Sequence, residues 1–116
     1  MMEGIMDFKA QKQIRSHING LIRQQHVPED FLREFSQFIN WVLVSNYQNL
    51  SEDFIEEYAD KVDWSGIASK QNISLSFISR NLDRFEISDF QFFKINNHLD
   101  KDSINKIETL LKINSI

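Results

Sequence analysis

The side chains best suited to chemistry are carboxylates gathered in the middle of the chain. Residues 27–72 hold nine acids against three basic residues, and the densest group is Glu52, Asp53, Glu56, Glu57 and Asp60. Two carboxylates can act as general acid and base when burial raises the pKa of one of them, but a helical spacing places these on an exposed face. The Asp-x-Asp-x-Asp-Gly spacing of a calcium loop is also missing. The group therefore indicates a charged surface and not a catalytic site.

This acidic surface fits two interpretations. It can mimic nucleic-acid phosphates and enter a basic channel on a partner, so that these five acids contact a protein. It can also be a solvated helix face whose first-turn acids suit the positive end of the helix dipole. Both interpretations remain open from the sequence.

The other residue types that support catalysis or metal binding are isolated. The chain has no cysteine, which excludes thiolate zinc sites and a cysteine nucleophile. His17, His26 and His98 stand far apart, and none belongs to a His-Glu-x-x-His pair. There is no Ser-His-Asp set, phosphate loop or glycine-rich nucleotide motif. The sequence predicts no catalytic residue, no metal and no cofactor.

Basic residues support a rival interpretation as a helix-turn-helix. Ile67, Asn72 and Ile78 have roughly the spacing of that motif, so a helix over residues 74–85 would read DNA. The side chains predicted to contact nucleic acid are Lys9, Lys12, Arg15, Ser76, Arg80 and Arg84. The alternative function is accordingly a small DNA-binding regulator.

An aromatic run lies near the C-terminus, where residues 90–93 read Phe-Gln-Phe-Phe. A single helix face has difficulty in burying three aromatic rings so close in sequence. Phe92 and Phe93 are therefore candidates for contact with a partner or in a homodimer, because aromatic side chains are favoured interface anchors. Burial in the core is the alternative.

The elements that position these residues follow a 23-residue repeat. Residues 27–49 read VPEDFLREFSQFINWVLVSNYQN, and residues 50–72 read LSEDFIEEYADKVDWSGIASKQN. The two share Glu-Asp-Phe, a tryptophan (Trp41 and Trp64) and a closing Gln-Asn pair. A degenerate third copy starts at residue 73, and the register is lost beyond Asn96. A repeat of this kind typically forms one supersecondary unit that buries its apolar face against its neighbours.

The repeat also explains the helix-turn-helix spacing. The second unit makes the same arrangement at residues 44–58, but its second helix carries acids that a DNA groove would not accept. The spacing is thus a property of the repeat, which weakens the DNA-binding interpretation without excluding it.

Each unit reads as two helices. Pro28, Ser51 and Ser74 can start the first helix of a unit, and Asn40, Asp63 and Ser88 can cap the second. Three glycines and one proline are too few for a β-sandwich or barrel. We predict an all-α, compact stack of helical hairpins on the 23-residue repeat, forming one domain over residues 1–116. It comprises an N-terminal helix (1–26), three units (27–95) and a C-terminal helix (96–116), the two end helices acting as caps.

The phrase LSEDFIEEYADKVDW resembles the short tryptophan-containing helical repeats of uncharacterised proteins from giant DNA viruses and tailed phages. Their pattern is Leu-Ser-Glu-(Asp/Glu)-Phe-Ile followed by Val-(Asp/Asn)-Trp, and the match covers residues 27 to about 90. The resemblance implies a viral or phage origin and brings no catalytic residues with it.

The expected function is a non-catalytic protein-binding module that acts by stoichiometric contact with a host protein. Small phage proteins of this size often disable a host factor, for example a nucleic-acid-handling defence protein such as a CRISPR effector. The N-terminus has acids where a signal peptide needs positive charge, and no stretch approaches the roughly 18 apolar residues of a membrane span. We therefore expect a cytoplasmic protein, in the host cell if phage-encoded, with no contact to a membrane.

Overall fold

The helices begin where a side chain accepts hydrogen bonds from backbone N–H groups that lack a helical partner. In the computed structural model, which describes residues 7–116, Ser51 Oγ accepts from the Phe54 N–H at 3.1 Å. Ser74 Oγ accepts from the Phe77 N–H at 3.0 Å, and the Asn40 side chain caps the next helix in the same way. These three predicted N-caps are confirmed. Residues 1–6 of the predicted N-terminal segment lie outside the described residues.

Eight α-helices and no β-strand occur within residues 7–116, which confirms the all-α class. The helices are α1 (Phe8–Gln24), α2 (Glu29–Glu34), α3 (Trp41–Tyr47), α4 (Glu52–Glu57), α5 (Trp64–Lys70), α6 (Leu75–Arg80), α7 (Phe90–Lys94) and α8 (Lys101–Asn114). Two short 3-10 helices, Leu82–Arg84 and Ile87–Asp89, lie between α6 and α7.

The third unit differs from the prediction in two places. The helix predicted over residues 74–85 ends at Arg80, and a 3-10 turn follows it. Ser88 does not cap α7, because Asp89 precedes that helix and Glu86 and Asp89 form a reciprocal capping box one turn earlier. The Glu86 N–H donates to Asp89 Oδ2 at 2.8 Å, which satisfies the donor that a Ser88 cap would have served differently.

The helices α1, α3, α5 and α7 lie side by side, each contacting the next, and we call them the row. The shorter helices α2, α4 and α6 connect consecutive members of the row, and we call them the connecting layer. At the C-terminal end α8 packs on both α7 and α6. The resulting body is elongated, measuring 55 × 28 × 21 Å.

Aromatic side chains join one unit to the next. The ring of Trp41 in the first unit stacks on Phe54 in the second, with 6.1 Å between centroids. Trp64 stacks on Phe77 with the same separation. Phe54 and Phe77 are fully buried, so the tryptophans belong to the core surface as the sequence indicated. The apolar face of each unit is thus covered by its neighbour.

Buried glutamine side chains form a second link between units. Gln71 Nε2 donates to the carbonyl oxygens of Ser45 and Gln48 at 2.9 and 2.6 Å, and its Oε1 accepts from the Leu50 N–H at 2.9 Å. Gln48 makes the equivalent three bonds 23 residues earlier, to the carbonyls of residues 22 and 25 and the N–H of residue 27. These amides satisfy backbone groups that the ends of α1 and α3 would leave unpaired.

The same contacts show how both ends fit the pattern. The last turn of α1 supplies the carbonyls that Gln48 contacts, so it takes the position that α3 and α5 take in later units. At the other end Asn96 Nδ2 donates to the carbonyls of Ala68 and Gln71 at 2.8 and 2.9 Å. Asn96 follows Gln71 by 25 residues, because the third unit is longer by two before α8 closes the stack.

Candidate interaction surfaces

The five acids predicted to contact a partner lie on or just after α4, and four of them bridge neighbouring units. Glu52 Oε2 accepts from the Ser74 N–H at 2.7 Å. Glu56 pairs with Arg80 at 2.8 Å, Glu57 with Arg33 at 3.0 Å and Asp60 with Arg84 at 3.0 Å. Sequence separations of 22 or 24 residues bring these side chains together, since the connecting layer repeats every 23.

Asp53 differs from the other four acids. Its exposed carboxylate makes no hydrogen bond or ion pair with any residue of the described range 7–116. It nevertheless contributes, with Glu52, to the negative field that raises the pKa of Arg80. The first cause of that shift is the hydrogen bond to Glu56, which in turn lowers the pKa of Glu56.

Arg33 plays the matching role between the first and second units. It donates to Glu57 and to Asp30, and hydrogen bonding to Glu57 is the first cause that raises its pKa. Its guanidinium also lies 5.3 Å from the centroid of the Phe54 ring. Cations from both neighbouring units therefore neutralise part of the acidic surface on α4.

The residues predicted to contact DNA do not form one surface. Arg80 binds Ser76 Oγ at 2.8 Å in addition to Glu56, so both side chains are engaged within the connecting layer. Arg84 lies 5.8 Å from the Trp64 ring centroid while pairing with an acid. The cations proposed for DNA and the carboxylates proposed for a protein partner are thus bound to one another.

The basic residues of the N-terminal helix lie elsewhere. Arg15 Nη1 donates to the Gln37 carbonyl at 2.8 Å and its guanidinium covers the Phe38 ring. Lys9 and Lys12 are exposed on α1. Since α1 starts the row and α6 packs on α8 at the other end, the structure does not bring these lysines to Arg80.

The aromatic run divides between core and surface. Phe93 is fully buried with its ring 4.9 Å from that of Phe85, so the prediction that Phe93 contacts a partner is wrong. The reason is that α8 covers α7 and closes the end of the stack. Phe92 is half-buried against the core and keeps part of its ring accessible.

Sequence reasoning missed a segregation of charge between the two sets of helices. The helices of the row contain six cations and no carboxylate: Lys9, Lys12, Arg15, Arg23, Lys70 and Lys94. The connecting layer contains seven carboxylates and two arginines. Counting charge by helix, and not by thirds of the chain, would have found this difference.

No group of three His, Cys, Asp or Glu side chains within residues 7–116 is arranged to hold a metal ion. No helix in that range has the length and apolar character required to cross a membrane. Comparison of the chain with protein-family models, with curated proteins and with solved structures finds no match.

Proposed function

We propose that this protein is a non-catalytic binding module that contacts a partner protein stoichiometrically through its acidic connecting layer. The partner carries a basic surface, such as the channel of a nucleic-acid-handling host protein, and binding inhibits it. The module works in the cytoplasm without metal or cofactor. The resemblance of its tryptophan-containing units to those of giant-virus and phage proteins supports a viral or phage origin.

The observation that carries this proposal is the excess of carboxylates in the connecting layer. Seven acids face two arginines there, so negative charge remains after every ion pair is formed. The side chain of Asp30 is 97% exposed, and Glu34 and Asp53 are also exposed. A surface of one sign attracts an oppositely charged partner over about one Debye length, roughly 8–10 Å at physiological salt.

A role as a DNA-binding regulator receives less support. Its two central cations, Arg80 and Arg84, are bound to Glu56 and Asp60, and phosphate contact would require breaking both pairs. The carboxylates that surround them would also repel a phosphate backbone.

The test is capture of a partner by the tagged protein from a nuclease-treated bacterial lysate, followed by mass spectrometry. The informative variant reverses three acids that do not bridge units: Asp30→Lys, Glu34→Lys and Asp53→Lys. The matched control reverses three acids outside the connecting layer: Asp83→Lys, Asp102→Lys and Glu108→Lys. Circular dichroism checks that both variants remain folded.

We expect the wild type and the control to retain one stoichiometric protein that the informative variant loses. Equal capture by the informative variant would remove the acidic layer from the proposal. Retention of duplex DNA by the wild type, with a steep salt dependence and without a protein partner, would favour the regulator.

A further inference from the structure

The row presents a surface that differs in kind from the acidic layer. Its helices carry no carboxylate, and they expose two large apolar side chains, Val42 at 55% and Tyr47 at 62%. Both lie on α3, near the centre of the row. Exposed apolar side chains this close together are typical of interaction sites when they line a concave surface.

A groove of about 410 Å³ lies at this position. Its lining consists of Val42, Leu43, Asn46 and Tyr47 from α3 and Lys70 from α5. This volume is within the range of roughly 300–1,000 Å³ that holds small ligands or inserted side chains.

The sequence explains why a hollow forms between these two helices. In the 23-residue register, Ser65, Gly66 and Ser69 of α5 match Val42, Leu43 and Asn46 of α3, so α5 is thinner at each place. A Cβ atom on Gly66 would lie 2.7 Å from Asn46 Nδ2, so the glycine leaves space for the Asn46 amide beside α5.

Cations flank the groove on both sides. Lys70 lines it directly, and Arg23 of α1 has the register position of Asn46, one helix earlier in the row. Neither cation forms an ion pair or hydrogen bond with another side chain of residues 7–116. The groove therefore combines an apolar floor with uncompensated positive charge.

We propose that this groove binds an acidic amphipathic helix of a partner protein. Apolar side chains of that helix at positions i, i+3 or i+4, and i+7 would enter against Val42, Leu43 and Tyr47. Its carboxylates would lie beside Lys70 and Arg23. The site is on a different surface from the acidic layer, so it does not depend on the function proposed above.

Other occupants fit the groove less well. A nucleic acid would find one exposed aromatic ring and aliphatic walls, whereas single-strand binding uses repeated aromatic platforms along a cationic path. A second copy of the chain could offer the acidic helices α2 and α4, but their apolar residues Leu32, Phe54 and Ile55 are fully buried in its own core. Neither helix could place apolar side chains in the groove.

The experiment is fluorescence anisotropy of the full chain with a labelled, terminally blocked helical peptide that carries leucines on one face and glutamates on both flanks. Three comparison probes separate the contributions: the same peptide with lysine for glutamate, the same peptide with serine for leucine, and a single-stranded oligothymidine. Sedimentation of the unliganded chain reports self-association.

We expect saturable binding of the acidic amphipathic peptide and at least about tenfold weaker binding of each comparison probe. Lys70→Glu should weaken the acidic peptide about tenfold, since it replaces an attractive charge by a repulsive one. Lys112→Glu is the matched control, because it makes the same change in the last turn of α8, and should leave affinity unchanged.

Three results would overturn the proposal. One is absence of saturable binding by the acidic peptide, and another is tighter binding of the oligonucleotide or the basic peptide. The third is an equal loss of affinity in the two lysine variants, because the effect would then come from net charge and not from the groove. Dimerisation that buries Tyr47 would assign the groove to a second copy instead.

Discussion

Replacing Gln71 by leucine tests whether the buried amides hold the units together. Leucine has a similar shape to glutamine but cannot donate or accept hydrogen bonds. The variant leaves three backbone groups without their partner: the carbonyls of Ser45 and Gln48 and the N–H of Leu50. Gln71 is 2% exposed, so water cannot readily replace the lost bonds.

The expected cost follows from these three groups. Each buried backbone group that loses its partner costs about 1–3 kcal/mol, and burial of an apolar side chain offsets part of the sum. We expect Gln71→Leu to lower the free energy of unfolding by about 3 kcal/mol, a large part of the roughly 5–15 kcal/mol of an ordinary domain. With a urea m-value of about 1.5 kcal/mol/M, the midpoint falls by about 2 M.

The chain offers a closely matched control in Gln25→Leu. Gln25 has the same register position 23 residues before Gln48, but its side chain is exposed and makes no hydrogen bond with residues 7–116. This substitution should change stability by less than about 0.5 kcal/mol. Urea unfolding followed by both tryptophan fluorescence and circular dichroism gives the two values. Equal stability of the two variants would refute the inference that the amides link the units.

Two further predictions concern the ion pairs and the aromatic run. Because hydrogen bonding to Arg80 lowers the pKa of Glu56, the ionised carboxylate stabilises the fold above its ordinary pKa of about 4.3, and this stabilisation is lost as the pH falls through the lower, folded value. The melting temperature of Glu56→Gln should therefore lie below that of the wild type at pH 7, and the two should converge in acid; a constant difference across that range would contradict the assignment. Phe93→Ala should cost about 3–5 kcal/mol because the ring is fully buried, whereas Phe92→Ala should cost about 1–2 kcal/mol. Urea midpoints compare the two, and a larger loss for Phe92→Ala would contradict the described packing of α7.

The sequence was sufficient for the helical class and for most helix starts, because Asn40, Ser51 and Ser74 carry local capping signals. It was insufficient for the third unit, where the Glu86–Asp89 capping box competes with a cap at Ser88. The burial of Phe93 depends on α8, which packs from a distant part of the chain, so local pattern alone does not reveal it.

The charged surface was predictable in composition but not in use. Aligning the units shows that Gln48 matches Gln71, yet nothing local shows that their amides reach the preceding unit. The pairing of Glu56 with Arg80 likewise needs the spacing of 24 residues that only stacked units provide. For the same reason the acidic and basic candidates appeared as alternatives, although they contact each other.

The most direct test of the proposed function is calorimetric titration of the partner captured from lysate, comparing the wild type with the variant Asp30→Lys, Glu34→Lys and Asp53→Lys. We expect saturation at a fixed stoichiometry by the wild type and a loss of affinity of at least about tenfold in the variant. The difference should shrink at high salt, as expected for exposed charges. Equal affinity of the two proteins at low salt would contradict binding through the acidic layer.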